Sequence, residues 1–279
     1  MPHITIDTKN EAINLHVQDV GQGDPIILIH GWPLSHQAWE PQMEALVNAG
    51  NRVITYCRRG FGHSDKPWSG YDYDTLSADL AGIINALKLE KVTLAGFSMG
   101  GGEVARYVGN YGTAKLKSIM LISSVTPFMA QADDNPDGVE RSVFENMKKA
   151  IEKDRFAFIG AWRNNFINAD KNKDTISQEF LDFLLYQSFQ ALPKAMKECV
   201  DAFGYTDFRE DLKKCDVPAL VIHGKADRIC PAEICAEKAV TFLPQAQLEL
   251  LDGAPHGLNV THKKHMNDLM VAFLNKSKS

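Results

Sequence analysis

The sequence predicts an α/β protein in which a mostly parallel central sheet of about eight strands is flanked by helices and interrupted by an inserted helical lid. Short apolar runs alternate with amphipathic segments along most of the chain, which is typical of a parallel sheet covered by helices. The alternation stops from about residue 126 to residue 210, where helical patterns rich in Phe, Trp and Met take its place. It then returns. We therefore expect one core domain, residues 1–125 and 211–279, interrupted by a helical cap, residues 126–210.

The predicted strands differ in the polarity of their two faces. The first two alternate apolar and polar residues, as an edge hairpin with one solvent-facing side would. The later runs are continuously apolar, residues 25–29 being typical, which indicates central strands buried on both faces. The predicted strands are 3–8, 13–20, 25–29, 52–57, 91–96, 118–123, 218–223 and 246–251. The predicted core helices are about 37–49, 73–87, from the turn at Ser98 to about 111, 231–243 and 262–274.

Composition excludes several kinds of partner. The 279 residues carry a formal charge of −5 with both signs mixed along the chain, so neither a basic stripe for nucleic acid nor a polybasic membrane anchor is expected. The first residues have no signal-peptide pattern, and no apolar run approaches the roughly 20 residues that span a bilayer. We expect a soluble cytoplasmic protein. Its thiols should be reduced and should hold no metal, because the cysteines are odd in number and lack C-x-x-C spacing: Cys57, Cys199, Cys215, Cys230 and Cys235.

A G-x-S-x-G pattern follows the fifth predicted strand, with its serine at Ser98 and its glycines at Gly96 and Gly100. Between a strand and a helix, this pattern presents the serine on a sharp, strained turn. Glycines two residues to either side let neighbouring backbone pass without a Cβ clash. Ser98 would then lie at a helix N-terminus, where free amides favour developing negative charge. The pattern predicts Ser98 as a nucleophile.

A serine hydroxyl is a weak nucleophile, so it needs a base within hydrogen-bond reach and an acid that orients this base. Of the nine histidines, His256 alone lies in a loop rich in Gly and Pro just after a late strand, where its side chain can overhang the edge of the sheet. His262 and His265 begin a predicted helix. His30 and His223 each precede a glycine at a strand end, and we expect structural roles for both.

The acid should follow the end of another strand, between the serine and the histidine in the sequence. Asp227 fits this requirement. The strand before the lid ends in two serines, 123–124, and offers no carboxylate. Asp252 lies only four residues before His256 and is expected to cap its own loop. We therefore predict a triad of Ser98, Asp227 and His256, which is the chain order of the hydrolases that carry this serine turn.

Acyl transfer also needs hydrogen-bond donors aimed at the oxyanion. The amide of Met99, directly after the nucleophile, is one candidate. The second should come from the loop that follows the strand at 25–29, where the amide of Trp32 is the best placed. Pro33 has no N–H to offer, but it biases Trp32 towards an extended conformation.

Five motifs in one order resemble the α/β-hydrolase superfamily: H-G-W-P at 30–33, R-R-G-F-G-H-S at 58–64, G-F-S-M-G-G-G at 96–102, H-G-K-A-D at 223–227 and D-G-A-P-H-G at 252–257. Within it, the chain is most similar to the bacterial arylesterases and cofactor-free, non-haem haloperoxidases, also called perhydrolases. Two longer stretches are more specific to that subgroup, K-P-W-S-G-Y-D-Y-D-T at 66–75 and G-F-S-M-G-G-G-E-V-A-R-Y at 96–107. The resemblance covers nearly the whole chain, the lid included.

The resemblance implies a serine esterase that works through an acyl-enzyme without a metal or organic cofactor. Water would release the acid, whereas hydrogen peroxide would give a peracid that oxidises halides, and relatives with a proline at the position of Pro33 favour peroxide. It also implies preference for short-chain esters or lactones, and assembly as a homo-oligomer. By position, a small acyl pocket would be lined by Val125, Met129, Phe158, Trp162 and Ile229.

Three positions depart from the family pattern. Cys57 stands where the family usually has an aspartate, so a carboxylate that normally braces this loop is missing. Lys225 and Ala226 replace the commoner acidic residue and glycine before Asp227. Met129 stands where close relatives carry an aromatic residue, so the shape of the pocket cannot be copied from them.

Other activities remain open on the same scaffold. Haloalkane dehalogenases and epoxide hydrolases use an aspartate nucleophile, which Ser98 argues against. Lactonases, carbon–carbon bond hydrolases and hydroxynitrile lyases keep the serine. A receptor-like protein that binds a ligand with little turnover is a different class, and fold alone does not exclude it. Rapid multiple turnover on simple esters would exclude the receptor.

Overall fold

The computed structural model describes residues 3–7, 12–172 and 175–276. Within them the strands are β1 His3–Asp7, β2 Ala12–Val20, β3 Asp24–Ile29, β4 Asn51–Tyr56, β5 Val92–Phe97, β6 Leu116–Ile122, β7 Ala219–Gly224 and β8 Ala246–Leu251. They form one sheet in the order β1-β2-β4-β3-β5-β6-β7-β8. The pairs β1–β2 and β2–β4 are antiparallel, and the other pairs are parallel. The predicted fold class is confirmed. Thr8, the last residue of the first predicted strand, lies outside the described residues.

Burial follows the polarity that the sequence shows. Every residue of β5 and β7 is buried, whereas β1 at the edge is mostly exposed. The strands with continuous apolar runs therefore form the centre, because covering helices remove both of their faces from water. Since β3, β5, β6, β7 and β8 run parallel, the loops that follow them meet at one edge of the sheet. That edge is where ligands bind in open α/β sheets.

Helices cover the sheet and fill the long connection between β6 and β7. The first three lie between the earlier strands: α1 Glu40–Asn48, α2 Tyr73–Ala86 and α3 Met99–Tyr111. The connection contains α4 Arg141–Phe166, α5 Ala169–Asn172, α6 Gln178–Phe189, α7 Pro193–Tyr205 and α8 Arg209–Leu212. The last three are α9 Ala236–Ala239, α10 Leu258–Thr261 and α11 Lys263–Lys276, and 3₁₀ helices cover His36–Trp39 and Val240–Phe242. No helix in the described part of the chain is both long and apolar enough to span a bilayer.

The helix predicted over 231–243 is shorter than predicted and irregular, since only Ala236–Ala239 are α-helical and Val240–Phe242 continue as a 3₁₀ helix. Cys235 leaves the helical region, with φ −106° and ψ −89°, and its buried thiol contacts the Met129 thioether at 3.4 Å. The apolar spacing of this stretch therefore reflects burial of a tight turn, which periodicity alone does not separate from a helix.

The long helix α4 changes direction at Asp154, whose φ of −162° and ψ of 92° are not helical. The Asp154 carboxylate accepts hydrogen bonds from the backbone N–H groups of Phe156 and Ala157, both at 3.0 Å. It thus acts as an N-cap for the second half of the helix. This second half carries Phe158, Trp162 and Phe166 towards the loops at the sheet edge.

Cys57 lies in a buried cluster of imidazoles rather than beside a carboxylate. Its Sγ is 3.0 Å from Nδ1 of His36, and the His36 ring packs against His16 with centroids 4.6 Å apart. His63 lies 5.2 Å from His16. Neither ring nitrogen of the buried His16 has a hydrogen-bond partner within the described residues. Burial and the neighbouring imidazoles lower the pKa of both His16 and His36 to about 4.

This cluster predicts a loss of stability in mild acid. The unfolded chain binds protons at these histidines near pH 6.5, whereas the folded chain does so only near pH 4, so stability falls as pH drops through this window. The wild type should lose unfolding free energy between pH 7 and pH 5. The variant His16→Phe should lose about 1–2 kcal/mol less than the wild type does. Urea titrations at the two pH values measure it. His265→Gln, at an exposed site, is the matched control; equal losses in all three proteins would contradict the prediction.

Candidate active site

Ser98 lies on the turn between β5 and α3 in a conformation that few residues adopt, with φ 54° and ψ −120°. The turn requires its glycines because a Cβ at Gly96 would collide with the backbone of Gly100, and one at Gly100 would collide with the carbonyl of Ile29. The Ser98 N–H donates to the carbonyl of Ile122 at 2.8 Å. The strained position is thus held between β3 and β6, with the hydroxyl at the N-terminus of α3.

The structure brings Ser98, His256 and Asp227 into one hydrogen-bonded chain. Nε2 of His256 is 2.9 Å from Oγ of Ser98, and Nδ1 of His256 is 2.7 Å from Oδ2 of Asp227. All three residues are at least 94 % buried. An ionised carboxylate only accepts hydrogen bonds, so Nδ1 carries the proton and Nε2 is free to accept the serine proton. This is the geometry that activates a serine nucleophile.

The Asp227 carboxylate is buried and satisfied on both oxygens. Oδ1 accepts the backbone N–H groups of Ile229 at 2.9 Å and Cys230 at 2.8 Å. Oδ2 faces His256 and also Nε2 of His223 at 3.2 Å. Burial acts to raise the pKa of Asp227, but the electrostatic attraction and the hydrogen bonds of His256 and His223 outweigh it and hold the pKa well below its usual value. The carboxylate therefore stays ionised.

His223 contacts the acid Asp227 directly, which its sequence context did not indicate. Its Nε2 lies 2.7 Å from the carbonyl oxygen of Cys230 as well as 3.2 Å from Asp227. Two acceptors around one nitrogen require a proton there, so His223 donates from Nε2. It thereby holds both the carboxylate and the turn that carries it. The signal in the sequence was the spacing of four residues between His223 at a strand end and Asp227.

The loop that carries Trp32 is braced by a buried cation. Arg58 donates from its guanidinium to the carbonyl of His30 at 2.8 Å and to Glu103 at 2.9 Å, and from its backbone N–H to Nε2 of His30 at 3.0 Å. Because Nε2 accepts, the proton of His30 is on Nδ1, which donates to the carbonyl of Gly31 at 2.9 Å. Burial and the charge of Arg58 hold the pKa of His30 well below its usual value, which keeps the ring neutral.

This brace bears on the candidate oxyanion donors. In a trans peptide the C=O and N–H point in opposite directions, so fixing the Gly31 carbonyl also fixes the direction of the Trp32 N–H. Met99 opens α3 directly after Ser98, and Glu103 lies one turn further along the same helix. The Arg58–Glu103 pair therefore connects the loop of one donor with the helix of the other.

A cavity of about 290 Å³ opens on Ser98 and His256. Its walls include all five residues predicted for the acyl pocket, together with Trp32. Residues that sequence reasoning missed also line it, because they come from the insertion or the loop after Asp227, where no motif marks them: Val139, Val143, Phe144, Met147, Ala161, Asn165, Phe203, Arg228 and Cys230. Only Asn165 and Arg228 of these bring polar side-chain groups other than a thiol. Nowhere in the described residues do three or more His, Cys, Asp or Glu side chains form a group that could hold a metal ion.

The parallel sheet, the strained serine turn and the Ser–His–Asp chain define the class of a serine hydrolase. The family model described as the alpha/beta hydrolase fold matches residues 24–263. A putative non-heme chloroperoxidase of Synechocystis is 45 % identical over 98 % of this chain and 100 % of its own. A bifunctional esterase/perhydrolase of Acinetobacter calcoaceticus is 33 % identical over 96 % of this chain and 98 % of its own. The crystal structure of a Bacillus anthracis bromoperoxidase superimposes with a TM-score of 0.94, at 41 % identity, covering 98 % of this chain and 100 % of that one.

The chain belongs to the α/β-hydrolase fold family and is a hydrolase. Within that family it groups with the non-haem haloperoxidases and the esterase/perhydrolases, which confirms the resemblance carried by its motifs.

The contacts of His223 predict a specific pair of variants. His223→Leu should lower kcat for nitrophenyl acetate about tenfold with little change in KM, because a lost hydrogen bond of about 1–2 kcal/mol loosens the acid without touching the cavity. His223→Gln can place an amide N–H where Nε2 stands and should retain most activity. Steady-state kinetics on folded protein measure both. Equal kcat values for the Leu variant and the wild type would show that His223 does not act through Asp227.

Proposed function

We propose that this protein is a serine esterase that hydrolyses small short-chain esters through an acyl-enzyme, with perhydrolysis as a second outcome of the same intermediate. The observation that carries the proposal is the hydrogen-bonded chain from Ser98 through His256 to Asp227. Its position beside an apolar cavity supports a substrate with an apolar acyl group. The names of the relatives, which include an esterase/perhydrolase, agree with this activity.

In the first half of the reaction Ser98 Oγ attacks the ester carbonyl while His256 Nε2 takes the hydroxyl proton. Asp227 orients the ring and stabilises its positive charge. The amides of Trp32 and Met99 are proposed to donate to the oxyanion, a contribution of about 10²–10³ in rate for each such donor. His256 then returns the proton to the leaving alcohol, and the acyl group remains on Ser98.

In the second half a small nucleophile removes the acyl group. His256 takes a proton from water, the resulting hydroxide oxygen bonds to the acyl carbon, and Ser98 leaves with a proton returned by His256. Hydrogen peroxide reacts in the same way and yields a peracid in place of the acid. No metal or organic cofactor takes part in either route. The resemblance to relatives with a proline at the position of Pro33, directly after Trp32, implies that this residue favours the peroxide route.

The walls of the cavity support a preference for short acyl chains. Trp32 lies edge-on to Phe158 and Trp162, with ring centroids 6.2 Å and 6.1 Å apart. A cavity of about 290 Å³ is at the small end of the range for ligand sites. Val125, Met129 and Ile229 complete the proposed acyl pocket with the two aromatic residues of α4.

We further propose that residues 126–210 act as a cap over the core formed by 1–125 and 211–279. The cap contributes Phe158, Trp162 and Phe203 to the cavity, so it would select the substrate while the core supplies the triad. Assembly as a homo-oligomer, implied by the resemblance, stays a prediction.

The esterase proposal predicts fast turnover on short esters. The purified protein should hydrolyse nitrophenyl acetate and butyrate in multiple turnovers and octanoate at least about tenfold more slowly, because the longer chain exceeds the cavity. Ser98→Ala should lose about 10³-fold or more in kcat. Negligible, equal rates for both proteins would refute the proposal and turn attention to lyase substrates or ligand binding.

The shared acyl-enzyme predicts competition between water and peroxide. Added hydrogen peroxide should divert nitrophenyl acetate turnover to peracetic acid, detected by bromination of a dye in the presence of bromide. Ser98→Ala should form none above the uncatalysed background, since both products come from the same acyl group. Equal bromination by Ser98→Ala would show that the oxidation does not pass through Ser98.

A further inference from the structure

The last residue of the long cap helix α4 and the turn that follows it contact both loops that carry the candidate acid and base. We call residues 166–170 the cap clamp, and residues 225–230 and 252–257 the acid loop and the base loop. The Gly257 N–H donates to the carbonyl of Phe166 at 2.7 Å. The side-chain amide of Asn168 donates to the carbonyl of Ala226 at 2.8 Å. Each contact involves a residue next to Asp227 or His256.

A third contact lies at the surface. The guanidinium of Arg228 pairs with both carboxylate oxygens of Asp170, at 2.8 Å and 3.0 Å. Arg228 is the residue directly after Asp227, so the acid loop is held on both sides of the aspartate. Because this pair is about half exposed, it contributes less than the other two contacts, which are better shielded from solvent.

Packing reinforces the contact with the base loop. The Phe166 ring lies edge-on to the His256 imidazole, with centroids 5.9 Å apart and planes at 76°. A Cβ at position 257 would collide with the same Phe166 ring. Gly257 therefore has to be glycine so that the cap clamp can approach His256 this closely.

The burial, the backbone conformation and the hydrogen bonds of Asn168 all suit its position in the cap clamp. It is fully buried and has a left-handed backbone with φ 48°, which asparagine tolerates better than most residues. Its carbonyl accepts the N–H groups of Lys171 and Asn172, so the turn at its end of the helix is closed. The side chain is thus free to reach out of the cap to the acid loop.

We propose that the cap clamp positions the acid and base loops relative to each other, with Asn168 as its principal positioning residue. This inference rests on the proposed triad. Asn168 touches none of the reacting atoms; it acts through the Ala226 carbonyl on Asp227. Catalytic geometry tolerates displacements of only about 0.5 Å, so a loop released on one side would lower the fraction of molecules in which Asp227 and His256 are aligned.

The substitution Asn168→Gly tests this role because glycine keeps the left-handed backbone and removes only the amide. The matched control is Asn172→Gly, since the Asn172 amide donates to the carbonyl of Ile167 at 2.7 Å and stays within the cap. The readout is the second-order rate of inactivation by a fluorophosphonate, which reports on activation of Ser98 without an ester substrate. Steady-state kcat and KM and the melting temperature are measured beside it.

We expect Asn168→Gly to react about tenfold more slowly and to lose kcat to the same degree, with KM within about twofold, as an orientation effect requires. Asn172→Gly should stay within about twofold of the wild type in every kinetic constant. Equal fluorophosphonate rates for folded Asn168→Gly and the wild type would overturn the proposal. An equal loss in Asn172→Gly would also overturn it, because the effect would then follow from loosening of the cap in general.

A second variant guards against loss of folding. Asn168→Asp keeps the size of the side chain but turns a donor into an acceptor facing a carbonyl, and it should reduce the fluorophosphonate rate at least as much as glycine does. A wild-type rate in this variant would overturn the proposal. A wild-type protein that does not react with the fluorophosphonate at all would instead refute the triad.

Discussion

The Asp227 carboxylate is the group on which the candidate site depends. A buried charge is tolerated only when it is paired and hydrogen-bonded, and this one meets the requirement with two backbone N–H groups, His256 and His223. Those partners come from the turn after β7, from the loop after β8 and from β7 itself. The hydrogen bonds to this one carboxylate therefore hold the ends of β7 and β8 close together. As a result the imidazole of His256 points at Ser98.

A buried ion pair, Arg58–Glu103, has a comparable role for the loop that carries Trp32. Arg58 and Glu103 are almost fully buried, and together they join the loop after β3 to the helix that begins at Met99. Such a pair is weak evidence for added stability, but it is costly to break on one side. Its effect here is geometric, because it holds the Gly31–Trp32 peptide while α3 holds the Met99 amide. The two candidate oxyanion donors are thereby set by one network.

The features that could be predicted from the sequence are those that depend on residues close together in the chain. Continuous apolar runs marked the central strands, and the spacing of Gly96, Ser98 and Gly100 has a single steric explanation. The features missed depend on contacts between distant segments. Periodicity suggested a helix over 231–243, yet Cys235 turns away to pack against Met129. No pattern marks Asn168 or Phe166, since their meaning arises only where the cap meets the acid and base loops.

The central claim is that Ser98 carries the acyl group during turnover. The most direct measurement is mass spectrometry of the protein mixed with nitrophenyl acetate and quenched in acid within the first turnovers. The account predicts the added mass of one acetyl group on the peptide that contains Ser98, formed at the rate of the nitrophenol burst. An acetyl group on another residue, or turnover without a modified protein, would contradict the account.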